Sequence, residues 1–380
     1  MQNNLSAEAR NFLLELIRKG LENGNSKLPT EREIAAQHIA SYGTIRLVTG
    51  ELEKEGFIRK IRGSGTYICP EAADLLQQTS WRNLWFFRNP NTDNPHASFS
   101  SWMTAEIRKL AMKRCWKLHE VVVSSHEEFF AQLHQLAPAA EGILYLPPTE
   151  PFPVRCLGNF TRFALTPLII LDCEFGDISI ANITTDNRFG GMLAARQLLE
   201  HGYKNLGIVL AEPHMKQQRS RLQGFQELAD IAGAEVEIIN CHVSTWDDRI
   251  RSAERVLNER IRQGRLPEAL FVTSDAGAFG VIRALNANGI VPGKDIALVS
   301  FDGVPAGSEL TPPLAAVTQP VKEICRTAFD TLEAWEPGQH PQHQLQPYFR
   351  PGGTLTVRQS EKMQKKSPIF THLHGQLSVE

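Results

Sequence analysis

The chain has 380 residues, 42% of them apolar and 22% charged, and 40 basic against 42 acidic residues leave a formal charge of −2. That length predicts two or three domains, with enough apolar chain to bury several cores without disulfides or metals. The near-zero balance excludes a molecule held to nucleic acid or membrane by bulk charge, while leaving room for a local basic patch.

The six cysteines, Cys69, Cys115, Cys156, Cys173, Cys241 and Cys325, are scattered with no C-x-x-C pair. This argues against a disulfide framework, a zinc ribbon and a thioredoxin-type redox site, and fits reduced thiols. The opening stretch is interrupted by Glu15, Arg18 and Lys19, unlike a signal peptide. No run reaches the roughly 18 apolar residues of a membrane span. A cytoplasmic protein with no membrane partner is expected.

Along the chain, Phe12, Leu13, Leu16 and Ile17 recur at helical spacing and predict an amphipathic helix over residues 7–21. Thr30-Glu-Arg-Glu33 is a capping box, so a second helix starts near Glu31. Ser41 can cap a third, with Ile45, Val48 and Leu52 as its buried stripe and Gly56 as its stop. Phe57–Ile61 and Thr66–Ile68 are β-like runs joined at Arg62-Gly63-Ser64-Gly65, a hairpin tip. Two helices, a turn, a third helix and a basic hairpin describe a winged helix-turn-helix; the plain alternative is a small packing domain. The hairpin carries Arg59, Lys60 and Arg62 and no acid, and its glycines allow close backbone approach. A sugar-phosphate backbone is a natural partner for such a surface, because neutralising phosphates releases counterions.

The run Leu28-Pro-Thr-Glu-Arg-Glu-Ile-Ala-Ala36, then Ser41 to Arg46, Glu53-Lys-Glu-Gly-Phe-Ile-Arg59 and Gly63-Ser-Gly-Thr66 resembles the GntR-type winged-helix signature. The resemblance implies DNA contacts from Thr30, Arg32, Ser41, Tyr42, Thr44, Arg46, Arg62, Gly63, Ser64 and Gly65. Arg46 is the implied base reader, since guanidinium holds guanine bidentately. Arg32, Ser41 and Thr44 look like phosphate anchors, and Arg62 a contact to the minor groove or its phosphates. One position departs from the pattern: Tyr42 stands where the family has arginine. It cannot fork onto guanine; it would meet a phosphate or a thymine methyl, or else face the domain core.

The next stretches, Pro70–Ser80 and Arg88–Pro95, are linker-like and loop-like. Beyond them apolar runs at 84–87, 120–123, 142–146, 168–171, 206–210, 269–272 and 296–301 read as strands. Helical patterns at 190–201, 219–232, 247–263 and 276–288 separate most of those in the second half. Apolar strands covered by helices imply parallel sheets, and seven or more such units exceed one sheet, so two lobes are expected. Ligands of open α/β sheets sit beyond the strand carboxyl ends. The polar residues placed there are Asp172, Ser274, Asp275 and Asp302, joined by Arg221 at a helix start and by Trp246. Carboxylates, one arginine and a flat aromatic suit a polyhydroxylated ligand. Each has a plainer reading: Asp275 or Asp302 as a cap, Trp246 as core, Arg221 as a surface helix residue.

This half resembles the LacI/GalR effector domain, a periplasmic-binding-protein-like fold. The resemblance is carried by Thr185-Asp186-Asn-x-x-Gly190-Gly, His201-Gly-Tyr203, Arg219-x-Arg221-x-x-Gly224-Phe and Ser274-Asp275-x-x-Ala278-x-Gly280. Val299-Ser-Phe-Asp302, Pro313-Leu-x-x-Val317-x-Gln319-Pro and Leu355-Thr-Val-Arg-Gln-Ser360 extend it. It implies effector contacts from Phe99, Asp172, Arg221, Trp246, Ser274, Asp302 and Gln319. Ser274 stands where asparagine is usual. The family's hinge helix is absent, and residues 69–82 take its place.

There is no G-x-x-x-x-G-K-[ST] phosphate loop and no G-x-S-x-G nucleophile elbow. His340-x-x-His343 and His372-x-His374 lie in loop-like sequence and suit solvated histidines better than metal ligands. The expected fold class is α/β: a winged helix-turn-helix (1–69), a linker (70–82), a two-lobed effector domain (83–360) and a polar tail (361–380). The expected function is a homodimeric transcriptional regulator, a repressor, that binds double-stranded operator DNA and a small-molecule effector, most simply a sugar or sugar derivative. No cofactor, metal or enzymatic activity is expected. A nucleobase or sugar acid as effector, a ligand-unresponsive DNA-binding protein and an enzyme are the alternatives.

Overall fold

The computed structural model describes residues 2–37, 40–78, 81–90, 98–137, 140–163, 165–174, 180–245 and 247–358. They fall into two units: the chain up to Thr185 with Pro320–Leu345, and Asp186–Gln319 with the chain from Gln346. None of the described helices is long and apolar enough to cross a membrane.

The first unit opens with helices α1 (Gln2–Glu22), α2 (Glu31–Gln37) and α3 (Tyr42–Lys54), then strands β1 (Ile58–Ile61) and β2 (Gly65–Ile68) and helix α4 (Ala72–Gln78). Leu13 and Ile17 of α1 meet Ile34 of α2, the expected Ile45, Val48 and Leu52 of α3, and Phe57 and Ile68 in one core. β1 and β2 pair antiparallel from Ile58↔Ile68 to Ile61↔Gly65. The linker expectation fails over its middle: residues 72–78 are helical, Ala72 is buried in the winged-helix core, and Leu75 and Leu76 pack on it. That apolar face is what holds a polar-looking segment in place. Asn11 of α1 is also buried; its amide donates to the Met112 carbonyl, and the Cys115 thiol donates to its Oδ1 at 3.2 Å.

The unit continues with β3 (Arg82–Arg88), α5 (Phe99–Lys113), β4 (Trp116–Val122), α6 (His126–Leu136), β5 (Gly142–Leu146), α7 (Val154–Arg162), β6 (Leu168–Leu171) and β7 (Asn182–Thr185). The second unit runs α8 (Asn187–Glu200), β8 (Asn205–Leu210), α9 (Lys216–Ile231), β9 (Glu235–Asn240) and α10 (Arg249–Arg262). It goes on through β10 (Ala269–Val272), α11 (Asp275–Ala287), β11 (Ala297–Asp302), α12 (Pro305–Ser308) and β12 (Ala315–Thr318). α13 (Val321–Glu333) and β13 (Gln342–Leu345) return to the first unit, and β14 (Tyr348–Arg350) closes the second.

Each unit carries a six-stranded sheet, ordered β13-β7-β6-β5-β3-β4 in the first and β14-β12-β11-β10-β8-β9 in the second. All pairings are parallel except β12 with β14. The two-sheet parallel architecture expected from the apolar runs is therefore present. β5, β6 and β10 are buried along their whole length, as central strands covered on both faces must be.

In the second unit α8 crosses α9 backbone to backbone. A Cβ on Gly191 would stand 2.0 Å from the Arg221 carbonyl oxygen, and one on Gly224 would stand 1.9 Å from the Arg188 carbonyl oxygen. Only glycine permits this approach, and it fixes where α9 carries Arg221.

Candidate functional site

Two sets of side chains stand out, one on the winged helix and one at the strand ends of the second unit. The first is built by caps. Thr30 and Glu33 form the expected box: the Thr30 amide donates to Glu33 at 2.7 Å, and the Glu33 amide donates back to the Thr30 hydroxyl at 3.3 Å. These bonds hold the Glu33 carboxyl below its usual range. Ser41 caps α3 by accepting the Thr44 amide at 3.2 Å, and its hydroxyl also meets the Thr44 hydroxyl at 3.0 Å. A helix so capped starts with Tyr42 as its first residue and turns Ile45, Val48 and Leu52 inward. Arg46 is then exposed to solvent on the flank of α3, and Arg32 is exposed on α2. Tyr42 is 44% exposed, so the alternative that it lines the core is set aside.

The hairpin tip turns through Gly63 at φ +78° and Gly65 at φ +125°, backbone that favours glycine. Arg62, Gly63, Ser64 and Gly65 are all exposed. The Ser64 hydroxyl meets the Tyr67 hydroxyl at 2.7 Å, and Lys27 Nζ lies 5.7 Å from the Tyr67 ring centroid. The hairpin's charge differs from the sequence expectation in one respect. Lys60 Nζ donates to Glu31 at 2.7 Å and to the Thr49 hydroxyl at 3.3 Å, and the Lys60 amide donates to Glu53 at 2.8 Å. Burial pushes the Glu31 carboxyl up, but the Lys60 and Thr49 hydrogen bonds outweigh it and leave the group below its usual range. Lys60 thus ties the hairpin to α2, and Arg59 and Arg62 remain the outward charges.

The second set surrounds Arg221 on α9. Its guanidinium is buried over the Phe301 ring at 3.7 Å, donating Nε–H to Asn187 Oδ1 at 2.8 Å and Nη1–H to the Thr273 carbonyl at 2.6 Å. It is no surface helix residue. Asp302, at the end of β11, lies 3.9 Å from Nη1 and accepts from Gln319 Nε2 at 2.8 Å and from the Asp275 amide at 3.2 Å. Asp275 accepts from the Ser300 hydroxyl and from the Val304 amide at 2.6 Å. Burial raises both aspartates above the usual carboxylate range, and at Asp275 the Asp302 charge adds to the effect. Asp302 also holds φ +111°, a backbone position costly outside glycine and common where function imposes it.

Ser274 is the cap of α11, accepting the Gly277 amide at 3.1 Å; Asp275 follows it as the first helical residue. The cap role weighed for Asp275 therefore belongs to its neighbour. Gln319 follows β12 and is buried. In the first unit, Asp172 follows β6 with φ +51°, and Phe99 opens α5 half-buried against the core. Trp246, His372 and His374 lie outside the described residues.

Residues 5–68 match the family model for bacterial regulatory proteins of the gntR family, and residues 195–361 match that for a periplasmic binding protein-like domain. The chain joins a GntR-type helix-turn-helix domain to a periplasmic-binding-protein-like domain. Similar curated proteins include an HTH-type transcriptional repressor PurR of Haemophilus influenzae, 29% identical over 54% of this chain and 60% of the relative. Another PurR, of Escherichia coli, is 24% identical over 60% of this chain and 68% of the relative. Similar solved structures include a LacI-family regulator of Enterococcus faecium with bound ribose (TM-score 0.61, 18% identity, 73% of this chain and 100% of that one). The Lac repressor dimer bound to operator and the anti-inducer ONPF is also similar (TM-score 0.62, 20% identity, 76% of this chain and 99% of that one). At such identities the likeness is one of fold.

The LacI-like part thus brings Arg221, Asp302 and Gln319 into one network, with Ser274 alongside as a helix cap. Sequence reasoning missed Asn187 and Thr273, which orient Arg221. Asn187 was within reach, since it stands in the Thr185-Asp186-Asn run that carried the resemblance. The Glu31–Lys60 tie was not, because nothing local pairs residues so far apart in the chain.

Proposed function

We propose that this chain is a one-component transcriptional repressor, a homodimer that binds a two-fold operator through its winged helix and loses affinity when a small molecule binds the periplasmic-binding-protein-like part. The observation that carries the reading is the exposed face of α3: Tyr42 and Arg46 project from a capped helix beside a glycine-tipped wing bearing Arg62. Arg46 reads a guanine, Arg32, Thr44 and the caps Thr30 and Ser41 set the register on phosphates, and the wing residues Gly63, Ser64 and Gly65 approach the backbone. The paired half-sites of an operator would mirror the symmetry of the dimer.

The effector set is Phe99 and Asp172 in the first unit and Arg221, Ser274, Asp302 and Gln319 in the second, with Trp246 carried from the sequence. A sugar or sugar derivative suits these donors and acceptors, and the ribose-bound relative supports it. A nucleobase or sugar acid is the second reading, and the similarity to repressors named PurR favours the nucleobase. The effector changes operator affinity only by its preference for one state over the other.

The test is duplex selection by the full chain, followed by thermal shift against sugars, nucleobases and sugar acids. The reading expects one class to stabilise the chain and release the selected duplex. Stabilisation by none of the three classes would leave a ligand-unresponsive DNA-binding protein. Turnover of a stabilising compound would instead reveal an enzyme.

A further inference from the structure

On α3 the buried stripe is Ile45, Val48 and Leu52. Directly opposite it, at i, i+4, i+7 and i+11, lie Gly43, Leu47, Gly50 and Lys54. Arg46 stands beside this line. Leu47 is 59% exposed, although leucine is usually an inward residue.

The two glycines have no role inside the chain. A Cβ on Gly50 would meet nothing within 4 Å, and one on Gly43 would meet only the Ser41 hydroxyl at 3.8 Å. Neither has a positive φ that would call for glycine. Glycine inside a helix lowers its stability, yet both stand on the line opposite the buried stripe, Gly43 exposed and Gly50 half-buried. Their effect is to let the helix axis lie closer to whatever it meets, with one apolar side chain between them. Beside the strip the exposed charges of α3 are Arg46 and Lys54 against Glu51, and Arg32 and Arg62 are exposed on α2 and the wing; the surplus of cations favours a polyanionic partner surface. The apolar feature that a polyanionic duplex offers in its major groove is the 5-methyl group of thymine.

We propose that Leu47 is a specificity-determining residue that reads a thymine methyl, and that Gly43 and Gly50 set the depth of α3 in the major groove. This deepens the DNA-binding reading and rests on it. Arg46 would choose a guanine by hydrogen bonds, while Leu47 would choose thymine at a neighbouring position by contact alone.

The test starts from the duplex that the full-length chain selects from a random pool. Each thymine is then replaced in turn by deoxyuridine, which removes only the methyl. At one symmetric pair of positions the replacement should weaken binding about fourfold per half-site, the worth of one methyl removed from water. Leu47→Ala should bind the thymine and deoxyuridine duplexes equally. Gly50→Ala gives an independent arm: it should raise the melting temperature of the free chain and weaken the selected duplex. Equal binding of thymine and deoxyuridine duplexes at every position, or unchanged discrimination in Leu47→Ala, would overturn the role of Leu47. Unchanged affinity in a stabilised Gly50→Ala would overturn the close approach. Failure to select any duplex would remove the DNA-binding reading itself, and this inference with it.

Discussion

Gly224→Ala tests how the second unit holds Arg221. Alanine is the better helix former, by about 1 kcal/mol, so propensity alone predicts a more stable protein. The structure predicts the reverse. The new Cβ would lie 1.9 Å from the Arg188 carbonyl oxygen and 2.8 Å from its carbon, both backbone atoms. Real Cβ contacts essentially never fall under 3.0 Å, so α8 and α9 must separate by about 1.1 Å (3.0 − 1.9). Overpacking of this kind costs about 1–3 kcal/mol. Arg221 lies on the same face one turn earlier, and its bonds at 2.8 Å to Asn187 and 2.6 Å to Thr273 have little slack. Hydrogen bonds to charged groups contribute about 1.5–3 kcal/mol each, so weakening two of them outweighs the propensity gain. The net expectation is a loss of about 2–4 kcal/mol. Urea unfolding of the full chain measures it, with Gly50→Ala as the control that should gain up to about 1 kcal/mol. If both variants were stabilised alike, the reasoning from close helix approach would be refuted.

Other expectations follow from the same geometry. Asp275 and Asp302 are raised in the folded state, mainly by burial. The folded chain therefore binds more protons than the unfolded one between the usual carboxylate range and their raised values, and their contribution to stability falls as pH rises through that window. Asp302→Asn removes one charge of the pair and should flatten this pH dependence in unfolding experiments; an unchanged slope between pH 4 and pH 7, taken as roughly that window, would speak against the raised values. Arg62→Ala should lower the salt slope of duplex binding by about 0.9 for each phosphate that Arg62 neutralises. Lys60→Ala should leave that slope nearly unchanged, because Glu31 already neutralises Lys60; an equal drop in both variants would show that the ion pair opens on DNA. Ser41→Ala should cost about 1 kcal/mol through removal of the cap of α3, and a melting temperature equal to wild type would contradict that role.

The legible parts of the fold are those whose signal is local. β5, β6 and β10 are buried along their length and read from sequence with their observed bounds. The capping box at Thr30 and the cap at Ser41 placed α2 and α3, because the motif is itself the hydrogen-bond pattern. β7, β9, β12, β13 and β14 were not found. Asn182–Thr185 has one apolar residue in four and Gln342–Leu345 alternates in burial at a sheet edge, so their strand character comes from the partner beside them. α5 and α13 carry helical stripes, with Met103, Ile107, Leu110 and Ala111 buried on one and Ile324, Ala328 and Leu332 on the other, and were passed over beside loop-like neighbours. At the strand ends, sequence singled out Ser274, Asp275 and Asp302 together. Which of them caps α11 and which hold buried charge was decided by backbone direction, which composition does not encode.

The most direct measurement of the central claim is duplex selection from a random pool by the full-length chain, repeated with Arg46→Ala. The account predicts that the wild-type chain enriches one two-fold sequence containing guanine in each half-site, that salt weakens this binding without erasing the preference, and that Arg46→Ala loses the enrichment while still unfolding like wild type. Recovery of no preferred sequence, with attraction to every duplex that vanishes alike as salt is raised, would contradict it.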